Sequence, residues 1–186
     1  MRKILVLFLI CLGLVGCSQK KLPEKVEWLD GHTDTELEMA NACIGKVTDA
    51  LNSKDKTSLL ALFSENTLND ISENNYDEQI ESLFQYVDTT ITAYEIYTPE
   101  PASEKETEFG KASLKLFGLY KLISPEKSYY MYYKFCPLDD FNTDEIGIQK
   151  ISITSDEIFQ KDNFYWSKES NLPAISVIKT PTDYIK

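Results

Sequence analysis

Apolar side chains recur at two different periods along this chain, and the change of period divides it. From Asp34 onward, Leu37, Ala40, Ile44, Val47 and Leu51 follow one another at spacings of three and four. That spacing lays them on one face of an amphipathic helix. Cys43 flanks the stripe. Thr33 with Glu36, or Thr35 with Glu38, supplies a capping box at its start, and "NSKDK" closes it. A short helix is predicted from about Asp55, carrying Leu59, Leu60, Leu62 and Phe63, and a turn of helix with Leu68 and Ile71 after it. A further helix is capped by Asn75, has Asp77 and Glu78 at its positive end, and turns Ile80, Leu83, Phe84 and Val87 inward.

After Asp88 the period becomes two. "TTITAYEIYT" is rich in β-branched and aromatic residues and predicts a strand that ends at Pro99. "PEPASEKETE" predicts a polar loop. "KASLKLFGLYKLI" predicts a long strand with Gly118 as a bulge or bend, "SPEK" a turn, and "SYYMYYKFC" the facing strand. "PLDDFNTDE" predicts another loop, and "IGIQKISITS" a last strand. Helices first and antiparallel strands afterwards predict an α+β domain over residues 34–155, with the helices on one side of a curved sheet. Residues 156–186 form a C-terminal extension to which no docking is assigned.

The N-terminus has a different pattern. In "MRKILVLFLICLGLVGC" two cations precede an apolar run from Ile4 to Leu14, and small Gly16 precedes Cys17. This is the layout of a secretory signal, too short for a membrane helix of about 20 apolar residues. "LVGC" resembles the lipobox of bacterial lipoproteins. The resemblance implies that residues 1–16 are a signal peptide and that Cys17 carries the lipid. Residues 17–33 would be a tether on the extracytoplasmic face of the bacterial cell membrane. Two or more acyl chains hold a protein stably on a bilayer.

Charge narrows the partners. The chain has 19 Lys and Arg against 30 Asp and Glu, a formal net charge of −11. Such a surface repels nucleic acid. With Cys11 in the signal and Cys17 lipidated, Cys43 and Cys136 remain. They form no CxxC pair and are expected to be two buried free thiols.

Catalytic motifs are wanting. The one histidine, His32, lies in the tether, so neither a nucleophilic triad nor a zinc site can be assembled within the domain. Ser53–Lys56 and Ser124–Lys127 match Ser-x-x-Lys without the companion motifs. Asp140, Asn142 and Asp144 begin like a calcium loop, but Glu145 stands where glycine is needed and Ile151 where glutamate is needed. The segment reads as an acidic turn. No catalytic, cofactor or metal residue is therefore assigned.

"VTDALNSKDKTSLLALFSENT", then "YDEQIESLFQYV", then long strands resemble the nuclear-transport-factor-2-like fold, and more narrowly small bacterial lipoproteins of an uncharacterised family with that fold. The resemblance implies a cone of helices packed against a strongly bent sheet. In "SYYMYYKF", Tyr129, Met131, Tyr133 and Phe135 share one face, and Tyr130, Tyr132 and Lys134 the other. Tyr94, Tyr97 and Tyr120 lie on neighbouring strands. The expected function is non-catalytic binding of a small apolar ligand or a cell-surface protein, through the cleft or the sheet face. The alternative is an isomerase- or dehydratase-like enzyme with a carboxylate inside the cone, for which Glu95 is the first candidate.

Overall fold

The structure is a computed structural model that describes residues 35–72, 76–97, 101–161 and 172–180. Residues 1–34 lie outside it, and with them Cys11, Cys17, His32 and the proposed tether. Four helices come first: α1 (Glu36–Ser53), α2 (Lys56–Leu60), α3 (Glu65–Ser72) and α4 (Tyr76–Tyr86). Of the two capping boxes, Thr35 with Glu38 forms: the Glu38 backbone N–H donates to the Thr35 hydroxyl, and the Thr35 N–H to the Glu38 carboxylate at 2.8 Å. Asp55 caps α2 through the Ser58 N–H. Asn75 lies outside the described residues.

The strands are β1 (Ala93–Ile96), β2 (Ala102–Glu108), β3 (Lys111–Ile123), β4 (Ser128–Asp139), β5 (Gly147–Ser155) and β6 (Ile175–Ile178). A fifth helix, α5 (Asp156–Lys161), stands between β5 and β6. The sheet order is β1-β3-β4-β5-β6, with β2 also on β3. The long β3 thus has two partners on one side: β1 against residues 120–123 and β2 against residues 111–117. The sheet is open. The architecture is mixed α+β, with the main helices leading into a six-stranded sheet.

Two expectations are corrected, and one unassigned segment acquires a place. The stretch read as a polar loop holds β2, whose residues are all exposed. It pairs by its backbone at the margin of the sheet, so no side-chain alternation marks it. Gly118 is not the bulge: it pairs in register with Tyr133, and the shift lies between Leu114 and Leu116, where Cys136 and Pro137 together oppose Lys115. That bulge lets β4 run through Pro137, which cannot donate to a regular ladder. The C-terminal extension contributes β6, which pairs parallel with β5 and packs on α4.

The core lies between the helices and one face of the sheet. Ala40, Cys43, Ile44, Val47 and Leu51 of α1 and Ile80, Leu83 and Phe84 of α4 meet Tyr120, Leu122, Tyr129, Met131, Tyr133, Phe135, Ile151 and Ile153. Leu37, the first residue of the predicted stripe, is exposed instead. Burying such side chains gives roughly 1.5–3 kcal/mol each relative to water. Lys54 joins α1 to α4. It ends α1 in the left-handed region (φ 53°), and its ammonium donates to the carbonyls of Phe84, at 2.6 Å, and Val87.

Candidate functional site

The first turn of α1 extends beyond the packed core, and β2 stands opposite it across a gap. Leu37, Met39, Pro101 and Leu114 line this cleft with apolar groups, and Thr35, Glu36 and Lys105 supply its polar rim. Its volume is about 620 Å³, within the usual range of roughly 300–1,000 Å³ for small-molecule sites. Exposed Leu37 acquires a role here: an amphipathic stripe that starts before its covering sheet leaves its first apolar residue on a cleft wall. Lys105 and Glu36 form an ion pair from wall to wall. The Lys105 ammonium, with a hydrogen bond from Ser103, holds the Glu36 carboxyl below the usual carboxylate range. The rim charges are thus matched within the protein, and the interior of the cleft is apolar.

Further along α1, three of the singled-out tyrosines, Tyr94, Tyr120 and Tyr133, gather between the helix and the sheet. The Tyr120 hydroxyl donates to the Asn41 side chain at 2.7 Å, and the Tyr94 hydroxyl to the Asn41 carbonyl at 3.3 Å. The Tyr120 ring meets those of Tyr94 and Tyr133 edge-on, at 6.2 and 5.6 Å between centroids. The hydroxyl of buried Tyr133 has no hydrogen-bond partner among the described residues. Burial pushes the Tyr120 and Tyr133 hydroxyls and the Cys43 thiol upward, so all three stay protonated at neutral pH.

Other candidates resolve into structure. Glu95 is exposed on the face away from the core and lies opposite Lys121. Asp139 is the buried carboxylate among the described residues, and its Oδ1 accepts the N–H groups of Phe141 and Asn142. Asp140 Oδ2 accepts the Ala112 N–H of β3, and the Asn142 side chain accepts that of Asp144, so these oxygens are spent on the backbone of the turn and of the strand beside it. The Ser124 hydroxyl donates to the Lys127 carbonyl, while the Ser53 hydroxyl donates to the Asp49 carbonyl. The first of these bonds closes a local turn and the second lies within α1, so neither Ser-x-x-Lys match brings serine and lysine together as a catalytic pair. Cys43 and Cys136 are free and buried.

On the outer face, Phe159 of α5 stacks on Tyr130 at 3.8 Å, and Tyr97 meets both rings edge-on. Sequence reasoning missed α5, because six residues are too few to show a helical period. A larger groove of about 790 Å³ runs between α2 and α4. Its walls are mostly charged, and the Lys56–Asp77 ion pair lies within it. Five of its nine lining residues are charged, against two of seven in the cleft between α1 and β2, so the smaller cleft is the better site for an apolar ligand.

The chain belongs to the family described as Domain of unknown function (DUF5104), whose model matches residues 46–158, more than half of its length. The match runs from the middle of α1 to α5. Pro101, Lys105 and Leu114 of the cleft fall within it, and the first turn of α1 outside it. Comparison with curated proteins gives no match. Among the described residues, no helix is long and apolar enough to cross a membrane.

Proposed function

We propose that this DUF5104 protein is a lipid-anchored, extracytoplasmic lipoprotein of the bacterial cell membrane. In this reading it is folded as a nuclear-transport-factor-2-like cone. It binds a small, largely apolar ligand without transforming it. The observation that carries the binding reading is the cleft between α1 and β2–β3, with apolar walls and an internally neutralised rim. Such a site favours a ligand with little charge, since a charged one would have to break the Glu36–Lys105 pair. The anchor rests on "LVGC" after a short apolar run, with Cys17 as the lipidated residue. The cone rests on the order of elements and on helices that share one face of the sheet. A tether starting at Cys17 reaches the domain at the first turn of α1, which is also the wall of the cleft.

Two measurements test this. Titrating an apolar fluorescent probe into the full chain should give saturable uptake, and Leu114→Trp, which fills the cleft, should abolish it with secondary structure unchanged. Equal uptake by both proteins, or none by either, rejects the site. Separately, Cys17→Ala should release the protein from the membrane fraction or leave it unprocessed. Fractionation and migration like wild type would remove the lipobox reading.

A further inference from the structure

The β2–β3 hairpin leaves two features unexplained by a ligand cleft on its inner side. The first is its tip. Glu108 pairs with Lys111, so Phe109 and Gly110 form a two-residue loop. Both have positive φ, 48° and 77°, as a type I′ turn requires. Asparagine is the favoured residue at the first of these positions, yet a phenylalanine stands there, 97% exposed. It occupies a backbone region that costs an L-residue energy, and its ring faces water.

The second feature is the outer edge of β2. Among the described residues no strand pairs with it, and all seven of its residues are exposed. Glu104, Glu106 and Glu108 alternate with Ser103, Lys105 and Thr107. The three glutamates therefore share one face, at intervals of roughly 7 Å, where Lys115 and Lys111 of β3 lie opposite Glu104 and Glu108 on the inner side, and Ser113 lies opposite Glu106. Lys105 turns the other way, to Glu36.

This edge excludes a second copy of itself. Directly opposed residues in an antiparallel pair lie on the same face. Two β2 strands related by a two-fold axis must then set glutamate against glutamate, whichever matching register they take. Charges on edge strands ordinarily fend off pairing. Phe109 works against such a purpose, because a protected edge gains nothing from an exposed aromatic ring at its end.

We infer that the β2 edge and Phe109 form a docking arm for an extended segment of a partner protein. That segment has lysine or arginine at alternate positions and an apolar residue at the end that meets Phe109. It would add to the sheet as a further strand. Its cations would lie opposite Glu104, Glu106 and Glu108, and Phe109 would enter an apolar contact beyond the last pair. The partner sets cations directly opposite the glutamates at the open edge, where a second copy would set glutamate.

The test uses the full chain and three synthetic peptides of one length. One alternates lysine with threonine and ends in leucine. The second carries the same residues with its lysines in a block, and the third has glutamate for each lysine. Fluorescence anisotropy should show the alternating peptide bound about tenfold more tightly than either control. Glu104→Lys with Glu106→Lys should reverse the preference toward the glutamate peptide. Phe109→Asn suits the turn better, so the hairpin persists, and a drop in affinity then reports the lost ring rather than lost structure. Equal binding of alternating and block peptides, or full binding by Phe109→Asn, overturns the docking arm. So does a blue-shifted emission of Phe109→Trp on phosphatidylcholine vesicles without peptide binding, which would place the tip in a bilayer. None of these substitutions replaces Leu37, Met39, Pro101 or Leu114, so failure here leaves the cleft reading standing.

Discussion

The side-chain amide of Asn52 makes both backbone hydrogen bonds of Ile91: its Nδ2 donates to the Ile91 carbonyl at 2.9 Å, and its Oδ1 accepts the Ile91 N–H at 2.8 Å. An amide side chain at the end of α1 thus imitates a strand partner for the segment that enters β1. Ile91 is 4% exposed, so water cannot readily replace the bonds. Asn52→Ala should cost about 2 kcal/mol, because it strands a buried donor and acceptor. Urea unfolding measures it, and an unchanged midpoint would show that the segment re-pairs elsewhere.

Gly147 and Gly110 should respond differently to alanine. Gly147 has φ 128°, and a Cβ there would stand 2.6 Å from the Ser64 nitrogen. At that point Ser64 N–H donates to the Ile148 carbonyl, and Ile148 N–H to that of Leu62, closing the α2–α3 connection onto β5. Backbone cannot give way as a side-chain tip can. Gly147→Ala should destabilise by several kcal/mol, on the order of 3 or more. Gly110 also has positive φ, but nothing lies within 4 Å of its would-be Cβ. Gly110→Ala should cost only about 1 kcal/mol. Similar losses at the two sites would refute the steric account.

Removing a hydroxyl should have opposite consequences at Tyr133 and Tyr120. The Tyr133 hydroxyl is buried without a partner among the described residues, so Tyr133→Phe should be neutral or stabilising by up to about 1 kcal/mol. Tyr120→Phe takes the donor away from the Asn41 side chain and should destabilise by about 1 kcal/mol. Thermal unfolding of the pair gives the sign. Loss of stability in Tyr133→Phe would mean that this hydroxyl holds an ordered water.

Both buried thiols should resist modification in the native protein at pH 8 and react once it is unfolded. Burial raises Cys43, and it pushes Cys136 up to about 12. A group raised on folding contributes stability that is fully present below its unfolded value, near 8.5, and lost as pH rises through the folded value. Stability should therefore decline from about pH 8.5 upward, and Cys136→Ala should flatten part of that slope. Labelling without reductant, native and in denaturant, counts the thiols. An absence of labelling in denaturant would mean that Cys43 and Cys136 are joined.

What the sequence determined by itself is whatever burial writes as a local period. The stripes of α1 and α4 and the Thr35–Glu38 box, one of two candidates, could be read because side chains three and four apart answer to one environment. The inward set Tyr129, Met131, Tyr133 and Phe135 could be read because a strand alternates. Tertiary structure decided the rest, for a physical reason that recurs. β2 is held by backbone bonds to β3 and buries no side chain, so nothing in its composition distinguishes it from a loop. The bulge sits at Cys136 and Pro137, because register is settled between strands and not within one. β6 comes from a distant part of the chain to lie beside β5, and local period carries no record of that pairing. Leu37 belongs to the helical stripe in sequence and to the cleft in space. Only the length of the facing sheet, which is a property of other residues, decides which apolar positions are covered and which are left to meet a ligand.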